Sequence, residues 1–178
     1  MAIPGASAPS NPYRATTMTS RSERLLRLIT LFSFGAVGIA LISQYVFDMP
    51  PCAWCVMQRL IYLVIGVIAL IGGFGGGRAL TRVCAALAGL LSLSGIAAAW
   101  YQYTVAAKML SCDQTFADRF MTGIGLDGAV PWLFGIYATC MDAVVPVLGI
   151  EYALWSLALF VILLVMALPA AFGRGRAA

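Results

Sequence analysis

The sequence holds five cysteines and no histidine, so the side chains available for chemistry are thiols. Without imidazole there is no His-based triad, no His-ligated metal and no c-type haem attachment, which would need histidine where Val56 stands. Cys52-Ala53-Trp54-Cys55 has the CxxC spacing of thiol–disulfide oxidoreductases and directly follows Pro50-Pro51. Proline is favoured at a helix start, where its missing N–H costs nothing, so the motif is expected at a helix N-terminus. The free N–H groups and positive dipole end there favour thiolate over thiol. Arg59 lies four residues after Cys55 and seven after Cys52, on the same helical face. An arginine at that depth stabilises a thiolate, donates to a carbonyl oxygen of a lipid-soluble ligand, or snorkels to headgroups. Cys112 and Cys140 are separated by 27 residues, and Cys84 stands alone. A four-cysteine zinc site normally has two closely spaced pairs, so no metal is expected.

Composition decides what positions these residues. The chain is 62% hydrophobic and 10% charged, against roughly 45–50% and 25% in a soluble domain. So few charges cannot cover a water-facing surface for 178 residues, which excludes a soluble enzyme. Uncharged runs at Leu28–Phe47, Leu60–Gly77, Val83–Ala107 and Tyr152–Gly173 are 20, 18, 25 and 22 residues long. A bilayer core of about 30 Å needs roughly 20 helical residues, and continuous rather than alternating apolar runs exclude a β-barrel. The expected fold is an all-α membrane protein, a four-transmembrane-helix bundle. Its helices are placed at about 25–47, 53–77, 83–107 and 152–173, with outer loops 48–53 and 108–151. Residues 1–20 read as a disordered cytoplasmic tail ahead of the membrane domain 21–178. The first run exceeds the roughly 7–15 residues of a signal core and is kept as a helix.

The charges fall between the apolar runs, so the net +4 does not indicate nucleic acid. Eight of the eleven basic residues share one side: Arg14, Arg21, Arg24, Arg27, Arg78, Arg82, Arg174 and Arg176. By the positive-inside rule that side, with both termini, is cytoplasmic. Six of the seven acids and four of the five cysteines fall on the other side, where an oxidising compartment would let disulfides persist. In the long outer loop Phe116, Phe120 and Ile124 recur at four-residue spacing, marking either a piece lying on the membrane or a loop packed on the helix ends. The glycines between Gly72 and Gly77 precede no GK[ST] sequence and read as helix packing or a turn. Cys84 reads as a small packing residue.

With these residues in place, the chain resembles the DsbB family, quinone-linked oxidases of the bacterial inner membrane that reoxidise the periplasmic dithiol oxidase DsbA. The resemblance covers about residues 25–172. It is carried by Gln44 eight residues before Cys52, by Pro51-Cys52-Ala53-Trp54-Cys55-Val56-Met57-Gln58-Arg59, and by the Cys112 and Cys140 pair. Val130-Pro131 and Leu148-Gly149-Ile150-Glu151 with Trp155 add to it. The resemblance implies redox disulfides Cys52–Cys55 and Cys112–Cys140. Cys112 would form a mixed disulfide with a periplasmic DsbA-like thioredoxin-fold partner and Cys140 would resolve it. Cys52 would receive the electrons, and Cys55 would face a quinone beside Arg59. The implied cofactor is ubiquinone or menaquinone from the respiratory pool. The implied location is the inner membrane, multi-pass and surrounded by lipid, with the catalytic cysteines periplasmic. Some relatives carry a quinone-linked histidine near the outer end of the third helix. Here Tyr103 sits close to that place, as a donor to a quinone carbonyl or as an interfacial belt tyrosine. Gln44 either touches the quinone or bonds a neighbouring helix.

Two rivals remain: a non-catalytic tetraspan protein stapled by two disulfides, and a relative of vitamin K epoxide reductase. The latter family carries its CxxC on a late helix, whereas here it opens the second. The former fails on energetics as an oxidant. A DsbA-like partner sits near about −120 mV and structural disulfides below about −300 mV, a gap of about 8 kcal/mol for two electrons.

Overall fold

The computed structural model describes residues 12–108 and 115–173. Cys112, Asp113, Arg174 and Arg176 therefore lie outside the described residues, as does the tail up to residue 11. The apolar runs become long helices, α1 (Pro12–Val46), α2 (Ala53–Phe74) and α3 (Arg78–Thr104). Three short helices follow, α4 (Phe116–Gly123), α5 (Leu126–Ala129) and α6 (Pro131–Phe134). A two-residue hairpin, β1 (Pro146–Val147) and β2 (Ile150–Glu151), leads into α7 (Tyr152–Phe172). Arg21–Val46, Ala53–Phe74, Arg78–Lys108 and Tyr152–Phe172 are each long and apolar enough to cross a membrane. The shortest, 21 residues, reaches about 32 Å at 1.5 Å per residue, enough for a hydrocarbon core. The expected four-transmembrane-helix bundle is the observed fold.

Two helix starts differ from those expected. Helix α1 is assigned from Pro12, ahead of the expected start near 25. Helix α3 starts at Arg78 rather than near 83. Counting uncharged residues stops at Arg82, but a helical backbone tolerates arginine, and Thr81 Oγ1 ties this first turn to Gly77 O at 3.0 Å and to Gly72 O at 3.2 Å.

Within the bundle α3 packs chiefly on α7, and α1 and α3 flank α2. One buried cluster fills its depth, with Leu26 and Ile29 of α1, Tyr62 and Ile65 of α2, and Phe160 and Leu163 of α7. The Tyr62 and Phe160 rings stack with centroids 4.1 Å apart. Gly72 permits a close approach of α2, α3 and α1: a Cβ there would lie 2.5 Å from Cys84 Cβ and 2.8 Å from Leu26 Cδ1. Cys84 is thus a packing residue of the α2–α3 contact. Gly76, at φ +57°, turns the chain between the two helices.

A second buried cluster closes the outer end, joining Cys52, Trp54 and Val56 to Ala98, Met121 and Phe134. Helix α4 opens with a capping box in which Thr115 and Asp118 satisfy each other's backbone N–H. It buries Ala117 and Met121 while exposing Phe116, Phe120 and Ile124. The long loop is therefore packed on the helix ends by one face and presents its apolar spacing outward on the other.

Candidate active site

Helix α2 begins where its proline pair requires. Cys52 is the N-cap residue in extended conformation (φ −85°, ψ 169°), and Cys55 lies in the first turn. Their sulfurs are 3.1 Å apart and both are free thiols. Cys52 is wholly buried. The loop after α6 is pinned to this start, because Tyr137 N–H and Ala138 N–H both donate to Pro51 O, at 3.0 and 3.3 Å. That anchoring packs Cys140 against the cluster of Cys52 and Trp54.

The three sulfurs are electrostatically unequal. The hydrogen bond with Cys140, that with Cys55, and burial hold the Cys52 thiol well above the ordinary cysteine range. The Cys140 thiol is pushed down, chiefly by the hydrogen bond that Cys52 donates to it. Between Cys52 and Cys140, Cys140 is the sulfur favoured to ionise and Cys52 the one favoured to keep its proton.

Arg59 lies one turn deeper. Its side chain is only 5% exposed and is bound inside the bundle rather than extended towards headgroups. One terminal nitrogen donates to Gln44 Oε1 at 2.7 Å and to Leu133 O at 3.1 Å, and the other to Ala40 O at 3.2 Å. Its Nε is buried with no partner. Gln44 therefore bonds a neighbouring helix, orienting the guanidinium from α1. Arg59 and Cys55 line an apolar cavity of about 610 Å³, walled by α1, α2, the hairpin and α7. That volume suits a small-molecule ligand.

Tyr103 does not line this cavity. It is turned towards Trp100, ring centroids 6.3 Å apart. Successive helical residues are rotated by about 100°, and the buried face of α3 carries Ala98, Ala99 and Gln102. It is Gln102, unremarked in the sequence, that reaches the site: its Nε2 donates to Cys55 Sγ at 3.1 Å and lies 3.6 Å from Cys52 Sγ. Gln58 Nε2 donates to Gln102 Oε1 at 2.7 Å, and Ser156 Oγ of α7 donates to Gln58 Oε1 at 2.6 Å.

A dithiol at the N-terminus of a membrane-crossing helix, with a third thiol on one side and an apolar cavity with a buried cation on the other, defines a membrane thiol oxidoreductase. The family model described as disulfide bond formation protein DsbB matches residues 22–170. The chain belongs to the DsbB family, and is a multi-pass membrane oxidoreductase of disulfide bond formation. It is 34% identical over 162 residues to disulfide bond formation protein B 1 of Pseudomonas savastanoi pv. phaseolicola, covering 90% of this chain and 95% of that one. It is 32% identical over 161 residues to disulfide bond formation protein B of Ralstonia nicotianae, covering 89% and 99%. With the same-named protein of Herminiimonas arsenicoxydans it shares 30% identity over 154 residues, 86% and 97% of the two chains.

Proposed function

We propose that this protein is a thiol:quinone oxidoreductase of the bacterial inner membrane that reoxidises a periplasmic DsbA-like dithiol oxidase. In this reading the four outer cysteines face the periplasm and both termini the cytoplasm. The observation that carries it is the two-sided position of the CxxC pair: Cys52 touches the loop sulfur Cys140, while Cys55 and Arg59 open on an apolar cavity. Two closed staples would give no reason for sulfurs of both outer segments to meet.

The residues present fit a quinone. The Arg59 Nε is a buried donor lacking an acceptor, and the largely apolar walls suit a neutral, lipid-soluble carbonyl compound. Arg59 would hold a carbonyl oxygen, with Cys55 on the same wall. When bound, the quinone supplies the acceptor for two electrons and two protons.

The chain's own steps are thiol exchanges. The partner's thiolate attacks Cys112 of the Cys112–Cys140 disulfide: the partner–Cys112 bond forms, the Cys112–Cys140 bond breaks, and the electron pair leaves on Cys140 as thiolate. The Cys140 thiolate then attacks Cys52 of the Cys52–Cys55 disulfide: the Cys140–Cys52 bond forms, the Cys52–Cys55 bond breaks, and the electron pair leaves on Cys55. The lowered proton affinity of Cys140 supports its role as attacking sulfur. Cys55, against the cavity and one turn from Arg59, is the exit for the electrons.

The test mixes purified reduced partner with the protein and ubiquinone or menaquinone and follows quinone absorbance. Catalytic loss of the oxidised quinone band is expected. No turnover with either quinone, while disulfides still exchange with the partner, would remove the quinone half of the proposal.

A further inference from the structure

We propose that Gln102 is a further catalytic residue of the dithiol relay, the donor that receives the Cys55 sulfur as it leaves Cys52, with Gln58 and Ser156 fixing its amide in the donating orientation. The inference rests on the relay above and goes beyond it by assigning the group that accommodates the departing charge.

The geometry begins at the sulfur. Gln102 Nε2 is 3.1 Å from Cys55 Sγ and 3.6 Å from Cys52 Sγ, within range of an N–H to sulfur hydrogen bond. Gln102 is buried, so little water competes for the sulfur. A hydrogen bond to an ionised acceptor is roughly twice as strong as one between neutral groups. The Gln102 amide therefore favours the state in which Cys55 carries the electron pair over the state in which it is bonded to Cys52.

The orientation of that amide is set from the far side of the bundle. A carboxamide has one donating and one accepting end. Ser156 Oγ donates its single proton to Gln58 Oε1, which commits Gln58 Nε2 to Gln102 Oε1, which in turn commits Gln102 Nε2 to the sulfurs. The Tyr62 hydroxyl, 3.0 Å from both Ser156 O and Ser156 Oγ, steadies the origin of the chain. Reversal would aim the Gln102 carbonyl oxygen at the sulfurs, which a thiol tolerates and a thiolate does not. A neutral amide also avoids burying a second cation beside Arg59.

In the step itself Gln102 gives up no proton. The Cys140 thiolate attacks Cys52, the Cys52–Cys55 bond breaks, and the electron pair departs on Cys55 into the hydrogen bond from Nε2.

The experiment reads thiolate character without quinone or partner, so its failure and that of the quinone reading are separable. Reduced full-length wild type, Gln102→Leu and Ser156→Ala are treated with iodoacetamide, and alkylation of Cys55 is followed by tandem mass mapping. Removing a donor to an ionised sulfur should slow Cys55 alkylation by about tenfold near pH 7 in Gln102→Leu, with the rates converging near pH 10, where every variant is ionised. Ser156→Ala should fall between, because its amides remain but their polarity is no longer fixed. Quinone reduction should fall in the same order. Equal rates near pH 7 would overturn the proposal. So would a slowing of the same size at both pH values, which would mark a change of access rather than of charge. If Gln102→Leu fails to fold, Ser156→Ala alone decides by the same criterion.

Discussion

Arg59 is a cation bound without an anion: among the described residues its partners are an amide oxygen and two backbone carbonyls, and its Nε donor has no partner. Such a group holds its charge in place for something that arrives. Arg59→Ala should reduce quinone reduction by about 10²–10³, or roughly 2.7–4 kcal/mol, the usual cost of losing one preorganised donor to developing negative charge. Exchange between Cys112 and the partner should change little. Arg59→Lys should rescue only partly, since a point charge lacks the planar fork that binds Gln44 and Ala40 while leaving Nε free. Stopped-flow absorbance on the three proteins checks this, and equal rates would send the ligand elsewhere in the bundle. Cys140 carries a second expectation at this scale. Its ionisation is pushed down by the hydrogen bond from Cys52, and a thiol that ionises at lower pH reaches its full alkylation rate at lower pH. In the reduced protein Cys140 should therefore label before Cys52 near neutral pH, and Cys52→Ala should move its rate profile to higher pH. Identical Cys140 profiles in both proteins would mean that the hydrogen bond has no effect on its charge. Cys52, Cys55, Cys140 and Arg59, which the fold brings to one end of the bundle, were legible as candidates from type and spacing. Gln102 was not, because a single glutamine in an apolar run shows its value only once the helix rotation is known. Its spacing of three and four residues from Ala99 and Ala98 was the available signal. Tyr103, one residue on, matches the relatives' histidine only in position along the helix, which says nothing about its face.

The helices were legible as uninterrupted apolar runs, since lipid allows a spanning segment no other backbone solution than helix or closed barrel. Their ends were less so, because arginine interrupts a count of uncharged residues without interrupting hydrogen bonds; α3 gains its first turn that way. The hairpin β1–β2 was invisible: its strands have two residues each, too few for alternation, and its turn places Leu148 rather than glycine at φ +55°, followed by Gly149 at +81°. That hairpin helps wall the cavity, with Val147 and Leu148 at its edge, and Trp155 Nε1 of α7 fixes it through Val147 O at 3.2 Å. The α2–α3 contact yields a prediction proper to elements. Cys84 and Leu26 already fill the space beside Gly72, so Gly72→Leu must separate α2 from α3 or displace α1. Overpacking of this kind costs about 1–3 kcal/mol. Thermal unfolding in detergent should show a lower midpoint for Gly72→Leu. Cys84→Ala, which only removes a sulfur, should shift it less, and the reverse order would mean that the helices do not meet there.

At the scale of the molecule, four spans bring the start of α2, the end of α3 and the start of α7 to one end of the bundle, and the three sulfurs with the cavity mouth gather there. At the opposite end Arg27 ties α1 to α2, donating from Nε to Gly73 O at 3.1 Å and lying 4.6 Å above the Phe74 ring. In the proposed relay α2 joins the two sides, its start meeting the Cys140 loop and its next turn lining the cavity. In that relay, electrons from a soluble protein would pass through the loop thiols first, because Cys52 is wholly buried. Cys140→Ala should therefore stop the relay at its first covalent stage. The partner's sulfur would remain bonded to Cys112, since no thiol is left beside it to displace the partner and none beside Cys52 to carry the electrons inward. Non-reducing electrophoresis of the variant, expressed with its native periplasm or incubated with oxidised partner, whose disulfide the free Cys112 thiolate opens to form a Cys112–partner bond, should show a covalent complex that dithiothreitol dissolves. Cys140→Ala together with Cys112→Ala should show none. If no complex accumulates in Cys140→Ala while a small dithiol still drives quinone reduction, the cavity side works without the loop side, and the order of the relay has to be redrawn with Cys52 as the point of entry.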